Sequence, residues 1–282
     1  MTKGDMYTKE IIKRILTEGR PDKNPRPKYS DGTPAHTLSV NHGMCTYDLS
    51  KGESPLITLR PIATKSAIGE LLWIYQDESN NLDILKEKYS VTWWDEWDLG
   101  DRTIGACYGE TVHRHNLVKD LLEGIKNDPD GRRHIINMWQ VDDFKDPHGL
   151  KPCAFQTVWN VRHEDDGDYL DMCLFQRSSD FLTAGCINQV QYATFLCLVA
   201  RHFGYTPGRF TWFYDNIQIY DRHINQAKEI LEREPIDCNP KIVINPDKNN
   251  FYDFTPDDVT IEDYPIKLIR EKNPQMKFDL GI

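Results

Sequence analysis

Apolar residues recur at helical spacing along several stretches of the chain and alternate with polar ones along others. In "YTKEIIKRILTEG", residues 7–19, the apolar positions return every turn and a glycine follows, which predicts a surface helix. "TKSAIGELLWIYQDES", residues 64–79, predicts a helix with a wide apolar face. "LVKDLLEGIKND", residues 117–128, predicts a helix stopped by Pro129, and "NQVQYATFLCLVARHFG", residues 188–204, a long one ending at Gly204. "DRHINQAKEILERE", residues 221–234, predicts another. Strand character marks residues 37–49, 54–59, 132–139, 153–163, 168–178 and 209–220, with a last short strand in the tail "PQMKFDLGI" at 274–282. Helices and strands mix without strict βαβ alternation, so the fold class is α+β. No internal repeat, low-complexity segment or Ser/Gly linker interrupts the chain, and residues 1–282 read as a single domain.

Composition narrows this only a little. The 282 residues suffice for a substantial core, and 39% hydrophobic with 28% charged residues is a globular balance. A formal net charge of −10 argues against coating nucleic acid or an anionic membrane, while leaving room for a local basic pocket. No apolar run reads as long enough to span a bilayer, and the first residues lack the apolar stretch of a signal peptide, so a cytoplasmic location is expected. The seven cysteines (Cys45, Cys107, Cys153, Cys173, Cys186, Cys197 and Cys238) are odd in number, widely spaced and without a CxxC pair. That argues against a disulfide framework and a structural zinc site; free thiols and no metal are expected.

Some residues stand out chemically. Cys153 in "GLKPCAFQ" reads either as a buried small apolar residue or as a nucleophile whose thiolate a nearby cation would favour. Glu70 interrupts the apolar run "SAIGELLWIY"; it is either at a solvent edge or buried, with a raised pKa suited to proton transfer. "PDGRRHI" sets Arg132 beside Arg133, and "FQRSSDF" sets Arg177 before Ser178 and Asp180. Arginine forks and a hydroxyl suit a phosphate, or else pair with the many acids of the surface. In "TWWDEWD", Trp94 and Trp97 would share a face if helical, as core anchors or as a stacking wall for an aromatic ligand.

Taken in order, "SDGTPAHTLSV", "ELLWIYQ", "WWDEWD", "IGACYG", "NDPDGRRH", "LKPCAFQ", "QRSSD", "INQVQY" and "IYDRH" resemble the thymidylate synthase family over nearly the whole chain. The resemblance implies an α+β fold with a large mixed sheet, helices on one face and a sheet-to-sheet homodimer. It implies that Cys153 is the nucleophile that adds to C6 of dUMP, and Glu70 the acid/base carboxylate. Arg177, Ser178, Arg132, Arg133 and Arg26 would hold the phosphate, with Arg132 and Arg133 reaching across to the partner subunit. Asn188 would read the pyrimidine edge, and Gln218 and Tyr220 would meet the ribose. Asp180, Trp94, Trp97, Tyr108, Leu150 and the C-terminal Ile282 would line the site of 5,10-methylenetetrahydrofolate, the donor of the one-carbon unit and the hydride.

The chain departs from the family pattern in places. Ala154 follows the nucleophile where many members carry His, and Gln218 replaces a common His. "TAGCIN" differs from the common "LGLPFN" and is expected to put Thr183, Ala184 and Cys186 along the folate and pyrimidine edge. A pyrimidine nucleotide hydroxymethylase, in which water rather than hydride captures the methylene intermediate, shares the same machinery. A nucleotide- or RNA-binding regulator without catalysis is the reading from another class; Cys153, Glu70 and the negative net charge speak against it.

Overall fold

The computed structural model describes residues 1–145 and 150–282. The chain runs α1 (Lys3–Glu18), β1 (Arg20–Pro21), β2 (Thr37–Asp48), α2 (Thr64–Tyr75), α3 (Leu82–Tyr89), α4 (Gly109–Arg114), α5 (Leu117–Asn127) and β3 (Ile135–Asn137). It continues β4 (Ala154–Glu164), β5 (Gly167–Asp180), α6 (Cys186–Phe203), β6 (Thr206–Tyr220), α7 (Ile224–Glu232), β7 (Lys241–Ile244), β8 (Val259–Glu262) and α8 (Ile266–Lys272). Six strands form one mixed sheet in the order β1-β2-β6-β5-β4-β3. Every neighbouring pair is antiparallel except β5 and β6, which are parallel and joined through α6. A parallel pair requires such a crossover.

Strand alternation divides the sheet into two unlike faces. Cys45, Tyr47, Trp159, Leu170, Met172, Leu174, Phe210, Trp212 and Ile217 are buried under the helices. α1 and α6 pack on this face, and α2 packs on α6. The opposite face carries Thr46, Val158, Cys173, Phe175, Thr211 and Phe213, all half-buried. Phe175 and Phe213 stack there with centroids 5.0 Å apart.

Several expectations need correction. Residues 54–59 are not a strand: the segment is buried, but its polar groups serve α1. Gly4 N donates to Ser54 O at 3.1 Å, Thr2 Oγ1 to Leu56 O at 2.8 Å, and Thr58 N to Asp5 Oδ1 at 2.6 Å. A Cβ at Gly4 would lie 2.6 Å from Pro55 O, so glycine permits this approach. Residues 274–282 form no strand either; the tail is held by isolated contacts described below. The strand expected over 132–139 shrinks to Ile135–Asn137. The helix expected over 221–234 begins as a 3₁₀ turn, Asp221–His223. Trp94 and Trp97 share not an α-helix but a 3₁₀ turn and its edge, which still brings their rings to 5.5 Å. Phe181–Phe203 is long and apolar enough by length and composition to cross a membrane, contrary to expectation, yet 78% of its apolar window is buried inside the fold. All seven cysteines are free thiols.

Candidate active site

Cys153 sits immediately before β4, where the β4–β5 register shifts between Ala154 and Gln156. Such an irregularity re-aims a side chain out of the regular pleat. Its carbonyl accepts from Arg177 N at 2.9 Å, and its N–H donates to Tyr108 Oη at 3.0 Å. The Arg177 guanidinium donates to Pro152 O at 2.9 Å and Lys151 O at 2.7 Å, and Nη2 stands 3.6 Å from Cys153 Sγ. Trp139 lies under that guanidinium, 5.6 Å from its ring centroid. Burial pushes the thiol pKa above the ordinary value; the charges of Arg177 and Arg26 and a hydrogen bond from Tyr108 oppose the rise.

Tyr108 has φ +49° and ψ −112°, a conformation that side-chain-bearing residues rarely adopt. Its neighbour must be glycine, because a Cβ at Gly109 would lie 2.0 Å from Ser79 O. The strained Tyr108 therefore joins the nucleophile as well as the aromatic wall. Trp94 contacts Trp73, Trp97 and Tyr108 at ring centroid distances of 6.3, 5.5 and 5.3 Å.

Glu70 lies on α2, whose residues Ala67–Tyr75 are all buried, and is itself 7% exposed. Burial pushes its pKa from 4.5 up to about 7, against favourable contacts from Trp94, Trp93 and Gln191. Trp94 Nε1 is buried and, among the described residues, meets no partner in hydrogen-bonding geometry. Tyr192, bonded to Tyr75 at 2.7 Å, has its pKa raised by burial and by the nearby charges of both Glu70 and Cys153.

A chain of amides connects this acid to the strand. Trp212 Nε1 donates to Gln176 Oε1 at 2.8 Å, Gln176 Nε2 to Asn188 Oδ1 at 3.0 Å and Ser178 O at 3.1 Å, and Asn188 Nδ2 to Gln191 Oε1 at 2.9 Å. Gln191 in turn donates to Ala67 O on α2 at 3.1 Å. Asn188 keeps one N–H and one acceptor lone pair free. Gln176, Gln191, Trp93 and Trp139 were not singled out in the sequence, yet they build the site. No apolar run marks the two glutamines: Gln176 opens the polar stretch "QRSSD", and Gln191 stands in "NQVQY".

Other predicted residues gather around these. Gln218 Nε2 lies 3.4 Å from Ser178 Oγ, and its Oε1 is buried without a partner among the described residues. Thr183 Oγ1 donates to Asp180 Oδ2, while Asp180 Oδ1 is buried and likewise unpartnered among the described residues; burial raises that carboxyl's pKa. Residues Phe181–Gly185 form a π-helical turn before α6, a form frequent at functional sites. Arg26 is exposed, and its charge reaches both Cys153 and Tyr220. Tyr220 Oη donates to Gly281 O at 3.4 Å, and Ile282 pairs with Lys28 through both backbone groups at 2.7 and 3.0 Å. Leu150 is half-buried against the core. Cys186 does not line the ligand edge as expected: it is 2% exposed, with Sγ 3.9 Å from Thr8 Oγ1 on α1. Arg132 and Arg133 are not brought into this constellation. They lie exposed between α5 and β3, and neither makes an ion pair or side-chain hydrogen bond among the described residues.

The arrangement sets a thiol beside a guanidinium, near a buried carboxylate and an edge of side-chain amides. Residues 6–276 match the thymidylate synthase family model. The thymidylate synthases of Streptococcus gordonii and Lactococcus lactis subsp. lactis are 47% and 48% identical to it over 285 aligned positions, covering 100% of both chains in each case. The thermostable thymidylate synthase A from Bacillus subtilis superposes with a TM-score of 0.88 at 35% identity, covering 99% of each chain. The chain belongs to the thymidylate synthase family.

Proposed function

We propose that this chain methylates dUMP at C5 to give dTMP, with 5,10-methylenetetrahydrofolate as co-substrate, through a covalent bond from Cys153 Sγ to C6 of the uracil ring. The observation that carries the reading is the pairing of Cys153, set under Arg177 and Tyr108, with a buried Glu70 whose pKa lies near 7. Addition of the thiolate to C6 makes C5 nucleophilic toward the one-carbon unit. Arg177, Ser178 and Arg26 hold the phosphate and keep positive charge beside the thiolate. Asn188 offers its free N–H to O4 and its free lone pair to N3–H of uracil. Glu70, poised near neutral pH, moves protons at the O4 side and assists loss of the C5 proton. Gln218 and Tyr220 meet the ribose.

The residues present fit the folate. Asp180 Oδ1 is a buried acceptor without a partner among the described residues, suited to a ring N–H, and Trp94, Trp97 and Leu150 offer an apolar wall. The folate supplies both the one-carbon unit and the hydride. The same wall excludes water from the methylene-bearing intermediate.

The protein acts as a homodimer joined through the open sheet face. The stacked Phe175 and Phe213 on that face, and the exposed Arg132 and Arg133, support this. The arginines then bind the partner's phosphate, and mixing an Arg133→Ala variant with a Cys153→Ser variant should restore part of the activity. Residues 1–282 work as one catalytic domain; one large cluster of buried residues that runs from Ile11 to Phe254, beside a small one of Tyr29, Ala35 and Tyr220, supports it. Seven unpaired thiols suit the reducing cytoplasm.

The test is mass spectrometry of the product from dUMP, dCMP, UMP and CMP, each supplied with methylenetetrahydrofolate, with dihydrofolate followed by absorbance. dTMP with stoichiometric dihydrofolate is expected. A 5-hydroxymethyl nucleotide without dihydrofolate would replace the methylase reading with a hydroxymethylase, and no turnover at all would favour a regulator.

A further inference from the structure

The turn that follows β6 contains an arginine outside the machinery described so far. Arg222 Nη2 donates to Asp31 Oδ2 at 2.6 Å and to Thr33 Oγ1 at 2.8 Å. Its Nη1 donates to Asp279 Oδ2 at 3.3 Å, and the guanidinium lies 3.9 Å from the ring centroid of Tyr29. Asp31 and Thr33 belong to a tight turn closed by Tyr29 N to Thr33 O at 2.9 Å, a few residues beyond Arg26. Asp279 belongs to the C-terminal tail, and its carbonyl accepts from His223 Nε2 at 2.9 Å. Tyr29 is 4% exposed; its hydroxyl donates to Asp221 Oδ1, so the ring under Arg222 is itself fixed.

These two segments approach the site from different ends of the sequence. The 26–33 segment carries Arg26, whose charge reaches Cys153. The tail ends at Ile282, beside Tyr220 and Lys28. An isolated, partly exposed ion pair contributes little. Here one planar fork divides its donors between two carboxylates and a hydroxyl while its face covers an aromatic ring, a geometry that lysine cannot reproduce. Each segment is anchored at one ring, Tyr29 in one and Phe278 in the other, while residues 30–34 and 279–280 are exposed.

We infer that Arg222 is a positioning residue that clamps the 26–33 segment and the C-terminal tail into one unit over the active site. The inference rests on the reading that the tail covers the folate. It explains why an arginine stands at the junction of three segments remote in sequence. Arg222 adds a side-chain link to the direct backbone pairing of Ile282 with Lys28, so loss of the charge at Asp31 is expected to loosen the tail as well.

The test is hydrogen exchange of the full-length protein in three forms: the unaltered chain, Arg222→Ala and Asp31→Asn. The asparagine keeps the acceptor that caps Thr33 and removes the charge facing Arg222. Exchange at the Ile282 amide is expected to speed up about tenfold in both variants, with α6 unchanged. The KM for methylenetetrahydrofolate should rise roughly three- to tenfold in Arg222→Ala while kcat stays within about twofold, and Arg222→Lys should fall between. Unchanged tail exchange in Arg222→Ala overturns the inference. So does a tail loosened by Arg222→Ala but not by Asp31→Asn, because Arg222 would then hold the tail without coupling it. If the unaltered chain makes no dTMP, the proposed function fails, while the exchange measurements still decide the role of Arg222.

Discussion

Cys153 and Glu70 are both acids whose pKa burial raises, but their surroundings differ in kind. Around Cys153 the opposing influences are charges, Arg177 and Arg26. Around Glu70 they are neutral donors, Trp94, Trp93 and Gln191. A neutral donor shields a carboxylate without fixing its protonation, which leaves Glu70 near 7 and able to move a proton in either direction. A cation beside a thiol favours the charged form, while burial opposes it. One environment suits a shuttle and the other a nucleophile.

The largest effect comes from removing the nucleophile. Cys153→Ser should lower dTMP formation by roughly three orders of magnitude or more while circular dichroism remains unchanged. Substantial turnover in that variant would dismiss Cys153 as the attacking group.

Glu70→Gln should lower kcat by about 10²- to 10⁴-fold and remove the inflection near pH 7 from the rate profile. It also has a stability consequence. A carboxyl whose folded pKa is raised from 4.5 to about 7 favours the fold at low pH, and this advantage is lost as pH rises through that window. The size of the shift corresponds to about 3 kcal/mol. Above pH 7 the glutamine variant should therefore be more stable relative to the unaltered chain than at pH 4.5. Denaturant unfolding at both pH values checks the sign.

Asn188→Asp should shift discrimination from dUMP toward dCMP by about 1–3 kcal/mol, measured as the ratio of kcat/KM values. The smallest effect isolates the cationic surroundings of the thiol. Arg177→Gln should raise the thiol pKa further and slow alkylation of Cys153 at neutral pH by about three- to tenfold. An unchanged rate would mean that Arg177 does not influence the thiol, and the contrast with Glu70 would collapse.

Much of the fold was legible because its strands and helices bury one face. The alternation along residues 168–178 and 209–220 placed two long strands, and the helical period placed α1, α2, α5 and α6. The segment 54–59 misled because a short, fully buried apolar run carries no period. It turned out to pack on the N-terminus of α1, a contact set by residues some fifty positions away in sequence, such as Asp5 with Thr58. The short α3 and the β7–β8 hairpin were missed; β7 and β8 are four residues each. For the site, Glu70 was visible as a polar break in an apolar helix. Gln176 and Gln191 carry no such break, since they stand in the polar stretches "QRSSD" and "NQVQY", and their importance lies in a bond network that spans β5, α6 and α2. The strain at Tyr108 has no trace in the sequence beyond the glycine that follows it.

The most direct test of the central claim is the intact mass of the protein, and of the peptide bearing Cys153, after incubation with 5-fluoro-dUMP and methylenetetrahydrofolate. Fluorine at C5 cannot leave as the proton does, so the adduct should accumulate. Addition of one nucleotide and one folate per Cys153, absent in Cys153→Ser, is the predicted result. An unmodified Cys153 in protein that is turning over dUMP, or an adduct on another residue, would contradict the account.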